Sequence, residues 1–451
     1  MLRATKYQVL LFSFLLSPLL GGQAQAKTVT AASCSLADVQ AAVNLASDGD
    51  TVQIPDGTCT WTSGITTTKQ IWIRAQNYTA VANGTLTRNV TIVNASTTVP
   101  LFTMTSGNSF HVRISGIYFK ESANPQINDI NLNGSGSQIP ILDDDTIEIG
   151  TRFGNEPGIS AVNLGSLGGL MYDAYIVGEV NGVPVTNVCD ANGCPQGASI
   201  NLDSPLSWYT NSTLGSRDTN ETQNWYVEDS TWKDFGQSPD CDNNCRIVMR
   251  HNVLYGIAGL THGLSSAFGG RQFEVYNNII QNPTSGRNLG RYFWGREGVW
   301  YIHDNQVAYQ NQGYGNPVLF NSIVECSPGV SCANDGSVAY PVMHNTSGPG
   351  NGGQQIGWSC NPCSGSKATS TPVSNPVYIW NNCLAGHSLP CTGDSGGNTT
   401  SSPFFVQLNR DIFIDAGAPS GYTPAPYPHP LRGNSSSQAP APPTNPQAVV
   451  H

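Results

Sequence analysis

The sequence predicts an all-β chain wound into a right-handed parallel β-helix with an N-terminal capping helix, and three observations predict it. The first is repetition: Met249-Arg-His-Asn-Val, Val275-Tyr-Asn-Asn-Ile, Ile302-His-Asp-Asn-Gln and Ile379-Trp-Asn-Asn-Cys share one pattern, with a weaker copy at Val227-Glu-Asp-Ser-Thr. A period in the twenties built from strands marks a solenoid, in which each coil buries its core only against its neighbours. The second is the aligned asparagine of each copy: Asn252, Asn278, Asn305 and Asn382, spaced 26, 27 and 77 residues apart. Asn tolerates the left-handed backbone region at a bend and can hydrogen-bond to the next Asn in a stack. The third is composition: 11% of residues are charged and 48 are Gly, which disfavours helices and suits many short strands joined by polar turns.

Residues 1–26 read as a secretory signal: Arg3 and Lys6 form the basic start, Val9 to Leu20 the apolar centre, and Ala24-Gln-Ala26 the cleavage site. No other apolar run approaches membrane-spanning length, so the expected product is exported and without a membrane span. Ser35 is a plausible N-cap for a helix whose apolar face is Leu36, Val39, Val43 and Ala46, ended by Asp48-Gly49. Such a helix would cover the open first coil, whose unpaired strand edge would otherwise invite aggregation. An alternating strand at Thr51–Ile54 opens the solenoid, followed by runs at 71–73, 90–93, 101–104 and 112–119. The segment 121–222 reads as coils carrying long loops, 223–310 holds the clearest repeats, and 311–375 is an insertion rich in Gly, Ser and Pro. The solenoid domain is expected over 27–432, and the Pro/Ser-rich 433–451 is expected to be disordered. The last nine residues look like the first strand of a fibronectin type III module.

The twelve cysteines fall in sequence-local pairs: Cys34/Cys59, Cys189/Cys194, Cys241/Cys245, Cys326/Cys332, Cys360/Cys363 and Cys383/Cys391. In an exported chain such pairs read as disulfides. No cofactor is expected. Asp143-Asp-Asp145 has the ligand chemistry for calcium, but three consecutive acids point in alternating directions.

Charge and aromatic placement suggest action on an acidic, pectin-like extracellular polysaccharide. Between Arg246 and Arg296 lie six Arg (246, 250, 271, 287, 291 and 296), no Lys and one acid, Glu274, in a chain of net charge -10. Arg forms planar, bidentate pairs with carboxylates, so a groove for a uronic-acid polymer is one reading and pairing with the chain's own acids is the other. Strand alternation puts Arg250, Tyr276, His303 and Trp380 outward in a ladder suited to stacking on sugar rings. The competing expectation is that loops cover that face and pack against it. For catalysis, Asp240-Cys-Asp242 supplies two carboxylates, Asp218 stands 22 residues earlier and His262 22 later, the length of one coil, with Arg291 in Leu289-Gly-Arg-Tyr292 about a coil beyond.

On those residues the chain resembles the pectin-active β-helix superfamily, the pectate lyase-like and polygalacturonase-like proteins. The Asp240-Cys-Asp242, His262-Gly-Leu-Ser and Gly290-Arg291 series is similar to the aspartate, His-Gly and Arg series of polygalacturonases. That resemblance implies acid and base roles for Asp240, Asp242 and Asp218, with His262 beside them. It implies uronate binding by Arg291, while the arginine run and the aromatic residues, read from the sequence itself, add Arg250, Arg271, Tyr276, Tyr292, His303 and Trp380 as expected substrate contacts. The family's adjacent Asp-Asp is split here by Cys241, and its Gly-His-Gly is Thr261-His-Gly. Arg250-His-Asn252 and His262-Gly263 also look like alginate lyases of the chondroitinase B type, but Thr261 stands at the expected Arg and no Lys lies near Asn244. Hydrolysis is therefore preferred over β-elimination, with a lyase or a non-catalytic glycan-binding surface protein as alternatives. The Asp48-Gly-Asp-Thr-Val-Gln-Ile-Pro55 start, the Pro376–Asn382 coil and the Tyr427–Leu431 end are similar to secreted bacterial repeat proteins of this fold.

Overall fold

A computed structural model describes residues 26–78, 88–96, 98–121, 129–148 (less 135), 162–184 (less 167, 181 and 182), 200–203, 224–261 (less 236–238, 243–245, 257 and 258), 272–281, 291–307 (less 296 and 297), 318–331 (less 323, 324, 328 and 329), 357–360, 372–384, 398–400 and 406–432. The described part is almost entirely parallel β-structure in three long sheets, one of twelve strands and two of ten. The chain visits them in rotation. One turn runs through Trp225–Glu228 in the first sheet, Thr231–Phe235 in the second and Asp240–Asp242 in the third. The next turn repeats the order with Arg246–Arg250, Val253–Gly256 and Gly259–Thr261. Each strand pairs with its equivalent one turn away, as Val227 does with Met249 and Met249 with Val275. Stacked parallel sheets of this kind are compatible with a parallel β-helix.

The core follows from strand alternation. Met249, Val275, Ile302 and Ile379 form one buried inward column, and Ile247, Phe273, Trp300 and Val377 another. Phe273 and Trp300 stack at 3.8 Å between ring centres, so each turn seals the next with large apolar area at roughly 25 cal/mol per Å². Space is tight enough to dictate a glycine: a Cβ on Gly169 would fall 2.1 Å from the Trp225 ring of the next turn.

The helix forms over Leu36–Leu45 with Ser35 as its N-cap, the Asp38 amide donating to Ser35 Oγ at 3.3 Å. It buries Val39, Ala42 and Val43 and packs on Thr28–Thr30, Thr51–Ile54 and Ile65–Thr67, the strands at that end of the first and third sheets. The Cys34–Cys59 disulfide ties its leading loop to the second sheet. Cys383 is also disulfide-bonded, and the described residues contain no free cysteine. The remaining expected pairings lie wholly or in part outside the described residues, as do the signal segment and 433–451.

The 77-residue interval is one turn with a long insertion. Tyr301, Ile302 and His303 pair directly with Tyr378, Ile379 and Trp380. The described parts of that insertion include two antiparallel hairpins, Glu325–Ser327 with Val330–Ser331 and Trp358–Cys360 with Pro372–Ser374.

Seven of the described turns pass from the first to the second sheet through a non-glycine residue of positive φ: Asp144, Asp173, Asp229, His251, Asn277, Asp304 and Asn381, at 47° to 59°. The left-handed residue is thus the one before each aligned asparagine, and the asparagine does a different job. Asn252, Asn278, Asn305 and Asn382 are almost fully buried. Each of the first three donates through Nδ2 to the Oδ1 of the next, at 2.8 to 3.0 Å.

Candidate functional site

Two regions hold the residues the sequence singled out. The first is the outward ladder of the first sheet. Tyr172, Glu228, Arg250, Tyr276, His303 and Trp380 follow one another in register, so the predicted column exists. It is not open to solvent: Arg250 is 0% exposed, Tyr276 4%, His303 2% and Trp380 6%. The segment 415–432 lies over it. Ala425 O accepts from Arg250 Nη1 at 2.8 Å and from the Tyr276 hydroxyl at 2.6 Å. The Tyr422 hydroxyl and the Ala425 amide both donate to Glu274 Oε1, at 2.9 and 2.8 Å. The His303 and Tyr276 rings stack at 5.1 Å, and His303 and Trp380 at 4.3 Å. Sequence patterning gave the column's direction correctly. Of the two expectations for this face, the covered one is observed and the open ladder is not, and the covering strap comes from far along the chain.

The chain's own acids also occupy the cations here. Arg250 binds Glu228 through Nε at 2.7 Å and through Nη2, and its Nη1 donates to the Tyr276 hydroxyl at 3.0 Å. Burial alone would lower the Arg250 pKa, but Glu228 and Tyr276 outweigh it and hold the guanidinium charged. Arg432 on the strap pairs with Asp229, Asp173 and Glu228. Burial pushes the Asp173 carboxyl up to about 6, with Arg432 opposing the shift. His251 stacks on Tyr427 at 3.7 Å, and burial holds its pKa below the ordinary histidine value. This network fastens the strap, and nothing in Arg250 is left over for a uronate.

Asp143 is likewise committed, bound by Arg113 Nε at 2.7 Å and Nη2 at 2.6 Å. Among the described residues no group of His, Cys, Asp or Glu is arranged to hold a metal ion, Asp143–Asp145 included.

The second region is the third sheet. Asp240 and Asp242 lie on one strand, two positions apart and therefore on one face of the sheet. Register places Asn201 opposite Asp240 and Asp203 opposite Asp242. Strand spacing of about 4.8 Å and a rise of about 3.3 Å per residue bring three aspartates to adjacent positions. Asp203 was not singled out from sequence, because the segment before Asp240 gives no coil length from which to align it. Asp218, expected one coil earlier, lies outside the described residues, as do His262 and Arg271.

On the other side, Leu260 pairs with Asp240 and Thr261 with Cys241. Leu260 then pairs with Trp294, so Arg291 stands three positions away from the register of the aspartates. The expectation that Arg291 aligns with them is corrected: Gly259–Thr261 and Arg291–Gly295 are separated by a longer connection than one regular coil allows. Tyr292 is buried in the core at 1% exposure, away from any solvent-facing role. No family model matches the chain, and no curated protein matches it.

Proposed function

We propose that the protein is an exported right-handed parallel β-helix, of the superfamily that includes the pectin-active enzymes, and that it hydrolyses an extracellular polysaccharide. One observation carries the catalytic part: Asp203, Asp240 and Asp242 occupy adjacent register positions on one face of the third sheet. Glycoside hydrolysis needs one protonated and one ionised carboxyl beside the scissile bond, at about 5–5.5 Å for retention and about 6.5–9.5 Å for inversion. Backbone spacings of about 4.8 Å across strands and 6.6 Å along them enclose the retaining distance and reach the lower end of the inverting one. Like charges held this close ionise one after another, so the last carboxyl to lose its proton is the candidate acid. Right-handedness is the hand that parallel crossover connections adopt almost without exception. Export is supported by the N-terminal signal pattern and by the Cys34–Cys59 disulfide.

A lyase would need a Lys or Arg base and a neutralised uronate. Thr261 sits beside Cys241 instead, and the buried Arg246 and Arg250 withdraw part of the cationic groove on which a uronic-acid substrate rested.

The test is to incubate the purified mature protein with acidic and neutral polysaccharides while following reducing ends and the absorbance of unsaturated uronates. Reducing ends without the absorbance are expected. The Asp240→Asn, Asp242→Asn double variant should lose at least about a hundredfold in rate with an unchanged circular dichroism spectrum. Full activity in that variant would overturn the assignment, and rising absorbance would make the protein a lyase.

A further inference from the structure

On the outer face of the third sheet a column of residues runs along the stack: Thr66, Thr103, Asn131, Asn163, Asn201 and then Asp240. Thr66 is exposed, Thr103 and Asn131 are half-buried, and the alternate residues Ile65, Phe102 and Ile130 are in the core. A second column on the same face passes through Thr105 and Asn133, and Asp203 and Asp242 pair on later turns. Beyond Asp240 the first column continues as Leu260, Trp294, Asn321 and Thr399. None of these positions holds a Lys or Arg.

We propose that this uncharged Thr/Asn column, set in register with the three aspartates, is the track of a neutral glycan lying along the stack. The inference rests on the aspartates as the reacting centre and names the polymer they act on. Strands advance by about 4.8 Å, close to the advance of one sugar in an extended chain, and the six positions span roughly 24 Å. Hydroxyls and carboxamides both donate and accept, which is what sugar hydroxyls require. The Asn131 Oδ1 has no hydrogen-bond partner within the protein. Charge disfavours the alternative polymer. Three aspartates at the end of an uncharged track, in a chain of net charge -10, repel a polyuronate, and Arg113, Arg250 and Arg432 are bound to the protein's own acids.

Affinity electrophoresis of the wild-type protein, run in the cold through gels containing arabinoxylan, mixed-linkage β-glucan, polygalacturonate or alginate, tests this directly. Retardation by a neutral polymer and none by the polyanions is expected. Retardation by a polyanion alone, or by nothing, overturns the track. Thr103→Ala with Asn131→Ala should weaken neutral-glycan affinity about tenfold. Thr66→Ala, at an exposed side chain with no packing role, should weaken it severalfold with an unchanged melting temperature. Unchanged affinity in both variants would place binding elsewhere and overturn the proposal. Retardation by neutral glycan with no reducing ends from any polymer would sink the hydrolase and leave the track standing. Reducing ends from polygalacturonate only would do the reverse.

Discussion

Asp145 shows how one residue can carry a chemical state that its type alone would not suggest. It follows the left-handed Asp144 as Asn252 follows His251, so it occupies the asparagine's place three turns earlier in the stack. Its Oδ1 accepts from the Ile117 amide at 2.9 Å, as Asn252 Oδ1 accepts from the Ser230 amide at 3.0 Å. Its Oδ2 is buried without a partner, where an asparagine would present its NH2 group. Burial drives the Asp145 pKa well above the ordinary carboxyl value, Asp143 and Asp144 push it further, and the Ile117 amide and Arg88 oppose them. A folded-state pKa above the unfolded one stabilises below the unfolded value, and that contribution is lost as pH rises through the folded value. Asp145→Asn restores the donor and removes this loss. It should raise stability by about 1–3 kcal/mol at neutral pH and by much less in acid. Melting curves at both pH values check this, and an equal shift at each would refute a protonated acid here. Asn278→Ala should act in the opposite sense. Asn278 Nδ2 donates to Met249 O, Tyr276 O and Asn305 Oδ1, and its Oδ1 accepts from the Asn252 amide, so truncation leaves several buried groups unpaired. A loss of about 3 kcal/mol in urea denaturation is expected, with a loss under about 0.5 kcal/mol refuting a structural role for the ladder.

At the scale of elements, the strap 415–432 decides what the first sheet can do. The Glu228–Arg250 pair links adjacent strands to Ala425 and Arg432 in a setting with no exposed surface. Breaking one side of such a pair strands a buried charge, so Arg250→Ala should cost about 3–5 kcal/mol. Arg250→Met with Glu228→Gln removes both charges and should recover much of that cost. If the double variant is as unstable as the sum of the single ones, the pair is not coupled and the strap is held by packing alone. The same particulars show what the sequence made legible. The outward direction of Arg250, Tyr276, His303 and Trp380 follows from period-two alternation, which is local. Their burial depends on Tyr422, Ala425 and Tyr427, roughly 150 residues downstream of the column's middle, and no local pattern announces that contact. The helix at Leu36–Leu45 was readable because its cap and apolar face are local. Asp203 beside Asp242 was not, because cross-strand register in this part depends on connections of irregular length.

For the whole molecule, stacking makes stability directional. Apart from the strap, which joins the turns from Asp173 to His303, each turn pairs only with its neighbours, so the free energy is close to a sum of turn and interface contributions and unfolding can begin at whichever end is weaker. At the first turn, helix 36–45 packs over edge strands and Lys69 Nζ donates to the carbonyls of Val43, Asn44 and Ala46 at 2.7 to 2.8 Å, satisfying groups the helix end leaves open. The Trp61 indole donates to Cys34 O at 2.9 Å, and the Cys34–Cys59 disulfide closes a 25-residue separation over it. At the other end Ile412–Ile414 is the last strand of the first sheet. Cys34→Ser with Cys59→Ser removes a constraint worth about 3 kcal/mol. In a one-dimensional stack that loss falls on the neighbouring turns before it reaches the centre. Hydrogen exchange should then rise at Val52, Ile73 and Ile92 while Val275 and Ile302 keep wild-type protection. If exchange rises equally at Val275 and Ile302, the molecule unfolds as one unit, and independent stacking is the wrong account of its stability.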